Sequence, residues 1–410
     1  RLAAEGLIRA RPGSGFYVSS AALPRLSLAQ DQPQRDRAVD PFWVSRQSLD
    51  AASGALKPGC GWLPADWMPT EALRRAFRGL ARAEDAVLAD YGATRGSLAL
   101  RRTLMARFAD EGLDASPDQV LLTMSGTQAI DLICRFLLRP GDTVLVDDPC
   151  YFNFRALLRA HQVKLVSVPY TPSGPDVASF EAVLEAERPR LYITVSGLHN
   201  PTGATMSPQT AHRVLNAATA CDLTIVEDDI FADFEPEPSA RLAALDGLNR
   251  VIRIGSFSKT LSASLRCGFI AARADWIEQL VDLQVATGFG GPCAVATEII
   301  ASVLATGFYR KHVEELRRRL ARARRDVGEK LQRIGIEPWL MPRGGFQLWC
   351  RLPDGCDSAD VARAALADNI VLAPGNVFST TQSASGFMRF NVAQCRDPKL
   401  MPALQRALGR

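Results

Sequence analysis

Lys259 closes the stretch Ser256-Phe257-Ser258-Lys259, and Arg266 follows seven residues later in Leu265-Arg266-Cys267-Gly268. The 410-residue chain holds six lysines against forty-two arginines, so a lysine in this small, serine-rich setting suggests chemistry that a guanidinium does not perform. A primary amine condenses with an aldehyde once desolvation or neighbouring positive charge lowers its pKa. The two serine hydroxyls and the Arg266 fork suit a phosphate. A surface turn of Ser, Lys and Arg has the same composition, so the reading depends on what accompanies the lysine.

Four further groups each end a strand-like apolar run. Asn200-Pro201-Thr202-Gly203 follows Leu191 to Val195, and Glu227-Asp228-Asp229 follows Leu223 to Val226. Ser125-Gly126-Thr127-Gln128 follows Val120 to Met124 and opens the periodic run Ala129 to Leu138, a strand, turn and helix whose free N-H groups suit a phosphate. Asp147-Asp148-Pro149-Cys150-Tyr151 follows the strand Asp142 to Val146, and Tyr151 offers a ring for a flat heterocycle. Ligands of open α/β sheets sit beyond the carboxyl ends of strands, so Asn200, Asp228 and Lys259 are candidates to converge on one ligand. Taken singly, each has an ordinary alternative: a turn, a helix cap, a core tyrosine.

In order, these motifs resemble those of the fold-type I, class I/II pyridoxal phosphate aminotransferases, over roughly residues 41 to 410. Tyr91-Gly92 with Gly96, Leu100 and Arg101 adds to the match, as do Gly344-Gly345-Phe346, Pro374 to Phe378 and Met388-Arg389-Phe390-Asn391. The resemblance implies an α/β fold with a mainly parallel sheet in a large domain, about 91–285, and a small α/β domain from 41–90 and about 295–410. It implies pyridoxal 5'-phosphate held as a Schiff base on Lys259, with Lys259 and Asp228 catalytic and Asp228 on the pyridine nitrogen. Asn200 would donate to the ring oxygen and Tyr151 stack on the ring. Ser125, Gly126, Thr127, Ser256, Ser258 and Arg266 would hold the phosphate. Tyr91 would reach the phosphate of a neighbouring subunit, which implies a homodimer with shared sites. Arg389, with Asn200, would bind the substrate carboxylate. Where many relatives carry a tyrosine hydroxyl on the ring oxygen this chain has Phe231, which implies an altered Schiff-base titration and sluggish transamination.

The N-terminus points elsewhere. Leu2 to Ile8 reads as a helix end and Arg9 to Val18 as a basic hairpin with a glycine tip. Together they resemble the last helical turn and wing of a GntR-type winged helix, with Arg9 and Arg11 placed for DNA. The chain starts at Arg1 without Met, so we expect residues 1–18 to be the C-terminal remnant of that head, its upstream part missing. Residues 19–40, rich in Ser, Gln, Asp, Arg and Pro, read as a linker. This is the plan of the MocR/GabR regulators: a DNA-binding head fused to an aminotransferase-like domain that senses an amino acid or amine. A plain cytoplasmic aminotransferase and a cofactor-binding dimer without turnover are the alternatives.

Composition is consistent with these readings. The chain is 47% hydrophobic and 22% charged, with a formal net charge of +4 too small to imply nucleic acid alone. No run of about eighteen apolar residues suggests a membrane span. Nine scattered cysteines and four histidines show neither disulfide nor metal spacing, so we expect a reduced cytoplasm and no metal. Residues Pro41 to about Ala89, which contain Gly59 to Pro64, are expected to arch over the site. One long helical stretch is expected from Val295 to about Arg333, with Arg317-Arg318-Arg319, Arg322, Arg324 and Arg325 as a solvated face.

Overall fold

The computed structural model describes residues 8–18 and 39–409, Ser53 excepted. The helix end expected at Leu2 to Leu7 and most of the linker lie outside the described residues. The chain forms two compact units, 1–38 and 39–410. In the first, strand β1 (Ile8–Arg11) pairs antiparallel with β2 (Gly15–Val18), Ile8 opposite Val18 and Arg11 opposite Gly15. The turn between them passes through Gly13 at φ +81°. The hairpin matches expectation; Ile8 begins a strand rather than ending a helix.

The second unit is built on an eight-stranded sheet. Its strands are β3 (Val120–Thr123), β4 (Thr143–Asp148), β5 (Lys164–Thr171), β6 (Gly174–Pro175), β7 (Leu191–Thr194), β8 (Thr224–Asp228), β9 (Val251–Ser256) and β10 (Gly268–Ala271). They lie in the order β3-β10-β9-β8-β7-β4-β5-β6. From β9 to β5 all pairs are parallel; β10 is antiparallel to both neighbours and β6 to β5. Parallel strands buried on both faces need apolar side chains on both faces, and these have them. Val144, Val146, Leu191, Ile193 and Val226 join one core. Leu145, Tyr192 and Ile225, the intervening residues, join the other. Each such side chain stabilises the fold by about 1.5–3 kcal/mol relative to exposure.

The chain runs outward from β4 to β5, then returns to β7 on the other side of β4 and continues to β8 and β9. The resulting crevice beyond the carboxyl ends of β4 and β7 is a topological switch point. A second, antiparallel sheet has the order β11 (Glu337–Pro338), β12 (Gln347–Arg351), β14 (Phe387–Asn391), β13 (Ala373–Pro374).

The long helical stretch is two helices, Ala294–Leu304 and Phe308–Arg333. The break holds Thr306, whose hydroxyl donates back to Val303 O at 2.8 Å, and Gly307, a poor helix former. Part of the arginine face turns inward. Arg317 Nε donates to Asp233 O at 2.8 Å and Arg324 is buried, donating to Gly345 O at 2.6 Å. The Arg319 guanidinium lies 4.0 Å from the Trp67 ring centroid. Long aliphatic stems and planar heads let arginine pack where charge count alone suggests solvent. Among the described residues no helix is long and apolar enough to cross a membrane, and no group of His, Cys, Asp and Glu could hold a metal. All nine cysteines are free thiols.

Candidate active site

The turns after β3, β4, β7, β8 and β9 meet in one pocket of about 220 Å³. Ser125, Gly126, Thr127, Tyr151, Asn200, Asp228, Phe231, Ser256, Ser258, Lys259, Arg266 and Arg389 all line it. The exception is Tyr91, which is 80% exposed, outside that lining and edge-on to Phe289 at 4.9 Å.

Helix Gly126–Leu137 begins at the pocket. Ser125 caps it by accepting a hydrogen bond from Gln128 N at 3.0 Å, and Ala129, Ile130, Ile133 and Cys134 bury its inner face. Its first N-H groups face the Ser256-Ser258 turn, where the two hydroxyls are 2.8 Å apart and the Ser256 hydroxyl also donates to Cys267 O. This approach requires Gly268. A Cβ there would lie 2.8 Å from Gly255 O and 2.9 Å from Gly126 N. Arg266 stands on this cradle with no carboxylate partner among the described residues.

Lys259 Nζ donates to Gly61 O at 2.7 Å. Burial pulls its pKa down to about 8, helped by Arg389 and Arg266 against the pull of Asp228. At neutral pH an appreciable fraction is therefore the free amine needed to attack an aldehyde. Asp228 is buried, and the one hydrogen bond to its carboxylate among the described residues comes from Ile230 N at 3.2 Å. Burial, reinforced by Asp229, pushes its pKa up to about 7, against the pull of Ile230 N and Lys259. An unpaired carboxyl of this kind fits a cationic ring nitrogen.

Arg389 projects from β14 and is fully buried. It donates to Asn200 Oδ1 at 3.0 Å and to Gly59 O at 2.7 Å, while its Nε has no partner. Its guanidinium lies 4.8 Å from the Phe378 ring centroid. Burial lowers its pKa to about 10. A desolvated guanidinium that lines the pocket and has only neutral partners suits a carboxylate. Asn391, two residues on, holds the expected arch in place by donating to Cys60 O at 3.1 Å and Trp62 O at 2.7 Å. Phe231 packs with Phe234 and Phe346, its ring centroid 5.7 Å from that of Phe346, and brings no hydroxyl to the pocket.

The segment expected to arch over the site from Pro41 onward begins with helix α1 (Pro41–Asp50), which lines the pocket with Val44, Ser45, Ser48 and Leu49, residues that sequence reasoning did not single out. Asp40, expected to close the linker, is the N-cap of that helix, accepting from Trp43 N at 2.7 Å, with Pro41 next. Trp62, Ile130 and Phe152 complete much of the apolar lining.

A lysine amine near neutrality, a lone buried carboxyl and a helix N-terminus beside two serine hydroxyls and an arginine, at the carboxyl ends of a mainly parallel sheet, fit a fold-type I protein with pyridoxal phosphate as its cofactor. The model of the family "Aminotransferase class I and II" matches residues 63–406, and the chain belongs to that family. The relatives are of two kinds. The uncharacterized HTH-type transcriptional regulator YdcR of Escherichia coli (strain K12) is 29% identical over 401 residues, covering 96% of this chain and 85% of its own. The 2-aminoadipate transaminase of Thermus thermophilus is 29% identical over 366 residues, covering 85% of this chain and 88% of its own. Among solved structures, the α-aminoadipate aminotransferase LysN of Thermus thermophilus, complexed with N-(5'-phosphopyridoxyl)-L-leucine, has a TM-score of 0.81. It is 27% identical, with 89% of this chain and 94% of that chain covered.

Proposed function

We propose that the chain is a transcriptional regulator of MocR/GabR type, in which residues 41–410 bind pyridoxal phosphate and sense an amino acid, and residues 1–18 carry the wing of a DNA-binding head. The observation that supports the regulatory half is a hairpin holding Arg9 and Arg11 on the same chain as a pocket with an uncompensated amine, carboxyl and guanidinium.

When bound, pyridoxal phosphate supplies an aldehyde that captures amines and a protonated ring that withdraws electrons. The chain's own residues do the rest. Lys259 Nζ would hold the aldehyde carbon and, when free, would be the base able to accept and return a proton at the substrate Cα. Asp228 would face the ring nitrogen and hold its proton, gaining the counter-charge it lacks. Asn200, its carbonyl oxygen already engaged by Arg389, has its amide N-H free for the ring oxygen. Tyr151 would cover the ring, and the Ser125–Thr127 turn, Ser256, Ser258 and Arg266 would take the phosphate. Arg389 fixes the α-carboxylate. Tyr91, exposed on its own subunit, would reach the phosphate of a second copy in a cytoplasmic homodimer.

The alternative, a cytoplasmic aminotransferase acting between amino acids and 2-oxo acids, is favoured by the completeness of the set Lys259, Asp228, Asn200 and Arg389. The two are separated by binding full-length, cofactor-loaded protein to DNA from its own promoter region, with and without amino acids, alongside steady-state turnover. Binding that shifts with an amino acid is the expected result. Sustained turnover with no DNA binding would overturn the regulator.

A further inference from the structure

Resting on that reading, an amino acid in the pocket is held at two points, its nitrogen at Lys259 and its carboxylate at Arg389, and its side chain then falls against whatever surrounds the clamp. Arg389 lies against Phe378 at 4.8 Å and Phe152 at 6.0 Å from the ring centroids. Both rings pack in one cluster with Val44 of α1. The helix therefore sits beside the carboxylate clamp and lines the same pocket.

The charges available are accounted for. Of the described lining residues, the cations are Lys259, Arg266 and Arg389, which are engaged by amine chemistry, phosphate and α-carboxylate. The α1 wall consists of two hydroxyls, a valine and a leucine, and Leu49 is 71% exposed, an apolar side chain left at the pocket. Trp62 and Asn153 add apolar surface and a neutral amide. A side-chain carboxylate entering this region loses water and meets hydroxyl and amide dipoles only, whereas an aliphatic or hydroxyl side chain loses nothing it needs.

We propose that α1 sets the specificity of the site, and that the amino acid it accepts has a neutral aliphatic or hydroxyl side chain in preference to a dicarboxylic one. Ser45 and Leu49 are the specificity-determining positions, since both line the pocket from α1 without entering the cofactor cradle.

The test is a visible-absorbance titration of full-length, cofactor-loaded protein with L-leucine, L-norvaline, L-serine and L-glutamate. At least one neutral amino acid should half-saturate the spectral change at a concentration about tenfold or more below that of L-glutamate. Ser45→Arg should strengthen L-glutamate by a similar factor and weaken L-leucine. Leu49→Arg, at an exposed position, is the second variant should Ser45→Arg not fold. L-glutamate matching or exceeding every neutral amino acid in the unaltered protein would overturn the specificity while leaving the amino-acid site intact. So would L-glutamate response in the folded variants equal to that of the parent. A loaded cofactor whose spectrum responds to no amino acid would overturn both this inference and the sensing function beneath it.

Discussion

Asp228 and Asp229 are adjacent at the end of β8 and have opposite surroundings. Asp229 accepts from Arg241 Nε at 2.8 Å and from Arg253 at 2.5 Å. Arg241 in turn reaches Glu235 at 2.5 Å, and Arg253 reaches Glu111 while its guanidinium lies 4.6 Å from the Phe108 ring centroid. Every charge in that cluster meets an opposite one. One residue earlier, Asp228 has a backbone N-H and no ion pair among the described residues. The cationic side repeats the contrast: Arg241 and Arg253 are paired, whereas Arg389 rests on two neutral oxygens. Burying a charge without its counter-charge is destabilising by several kcal/mol. The single charges Asp228, Lys259 and Arg389 all line one pocket, which fits a site where a ligand completes the set.

The sharpest way to break this contrast is Lys259→Ala. It should abolish the cofactor absorbance that survives borohydride reduction and gel filtration, while thermal unfolding of the cofactor-free chain stays level or rises, because a desolvated amine is gone. Retention of borohydride-fixed absorbance would mean that another amine carries the cofactor. Next in size, Arg241→Ala should cost about 3–5 kcal/mol in denaturant unfolding, since it leaves Asp229 and Glu235 without their shared partner. A loss under about 1 kcal/mol would show that the paired side is no more tightly built than the open one.

Asp228→Asn should do the reverse, weakening cofactor binding while stabilising the cofactor-free chain at neutral pH. The sign follows from its raised pKa. The folded carboxyl holds its proton up to about 7, against about 4 when unfolded, so the folded state binds more protons in that window. Stability from this group is full below about pH 4 and is lost as pH rises to about 7. The difference between parent and variant, measured by urea unfolding without cofactor, should therefore grow across that range in favour of the variant and flatten above it. A difference independent of pH would mean that Asp228 already has a partner. The smallest effect belongs to Phe231→Tyr. One added hydrogen bond of about 1 kcal/mol would move the pH titration of the cofactor absorbance by less than about one unit, and superimposable curves would mean that the new hydroxyl does not reach the ring oxygen.

The legible part of the site is the part made of polar groups at strand ends. Lys259, Asp228, Asn200 and the Ser125 turn each follow an apolar run that can only be a buried strand, so type and position could be read together. The segment from Pro41 onward was expected over the site, but which of its residues form the wall was not legible, because Val44, Ser45 and Leu49 are ordinary residues for any helix and only their placement makes them a surface of the pocket. Neither was the single helix break at Thr306-Gly307, where periodicity continues through the interruption. The arginine run misled for a related reason. Arg324 is long enough to bury its stem and spend its donors on the carbonyls of Gly345 and Arg343, and nothing in a row of identical letters distinguishes it from Arg325.

The position of α1 has a consequence for how such a chain can change over generations. The groups that hold the cofactor are distributed over five strand ends, and each is tied into the sheet that folds the domain, so altering one disturbs both. The helix proposed to meet the ligand's side chain is a ten-residue segment capped by its own Asp40 and contributing no strand. A duplicated copy of this chain can therefore acquire a new ligand by a few substitutions in one short stretch, with the cofactor chemistry inherited unaltered. Divergence among paralogues should accordingly be concentrated in α1 rather than in the turns that hold the cofactor.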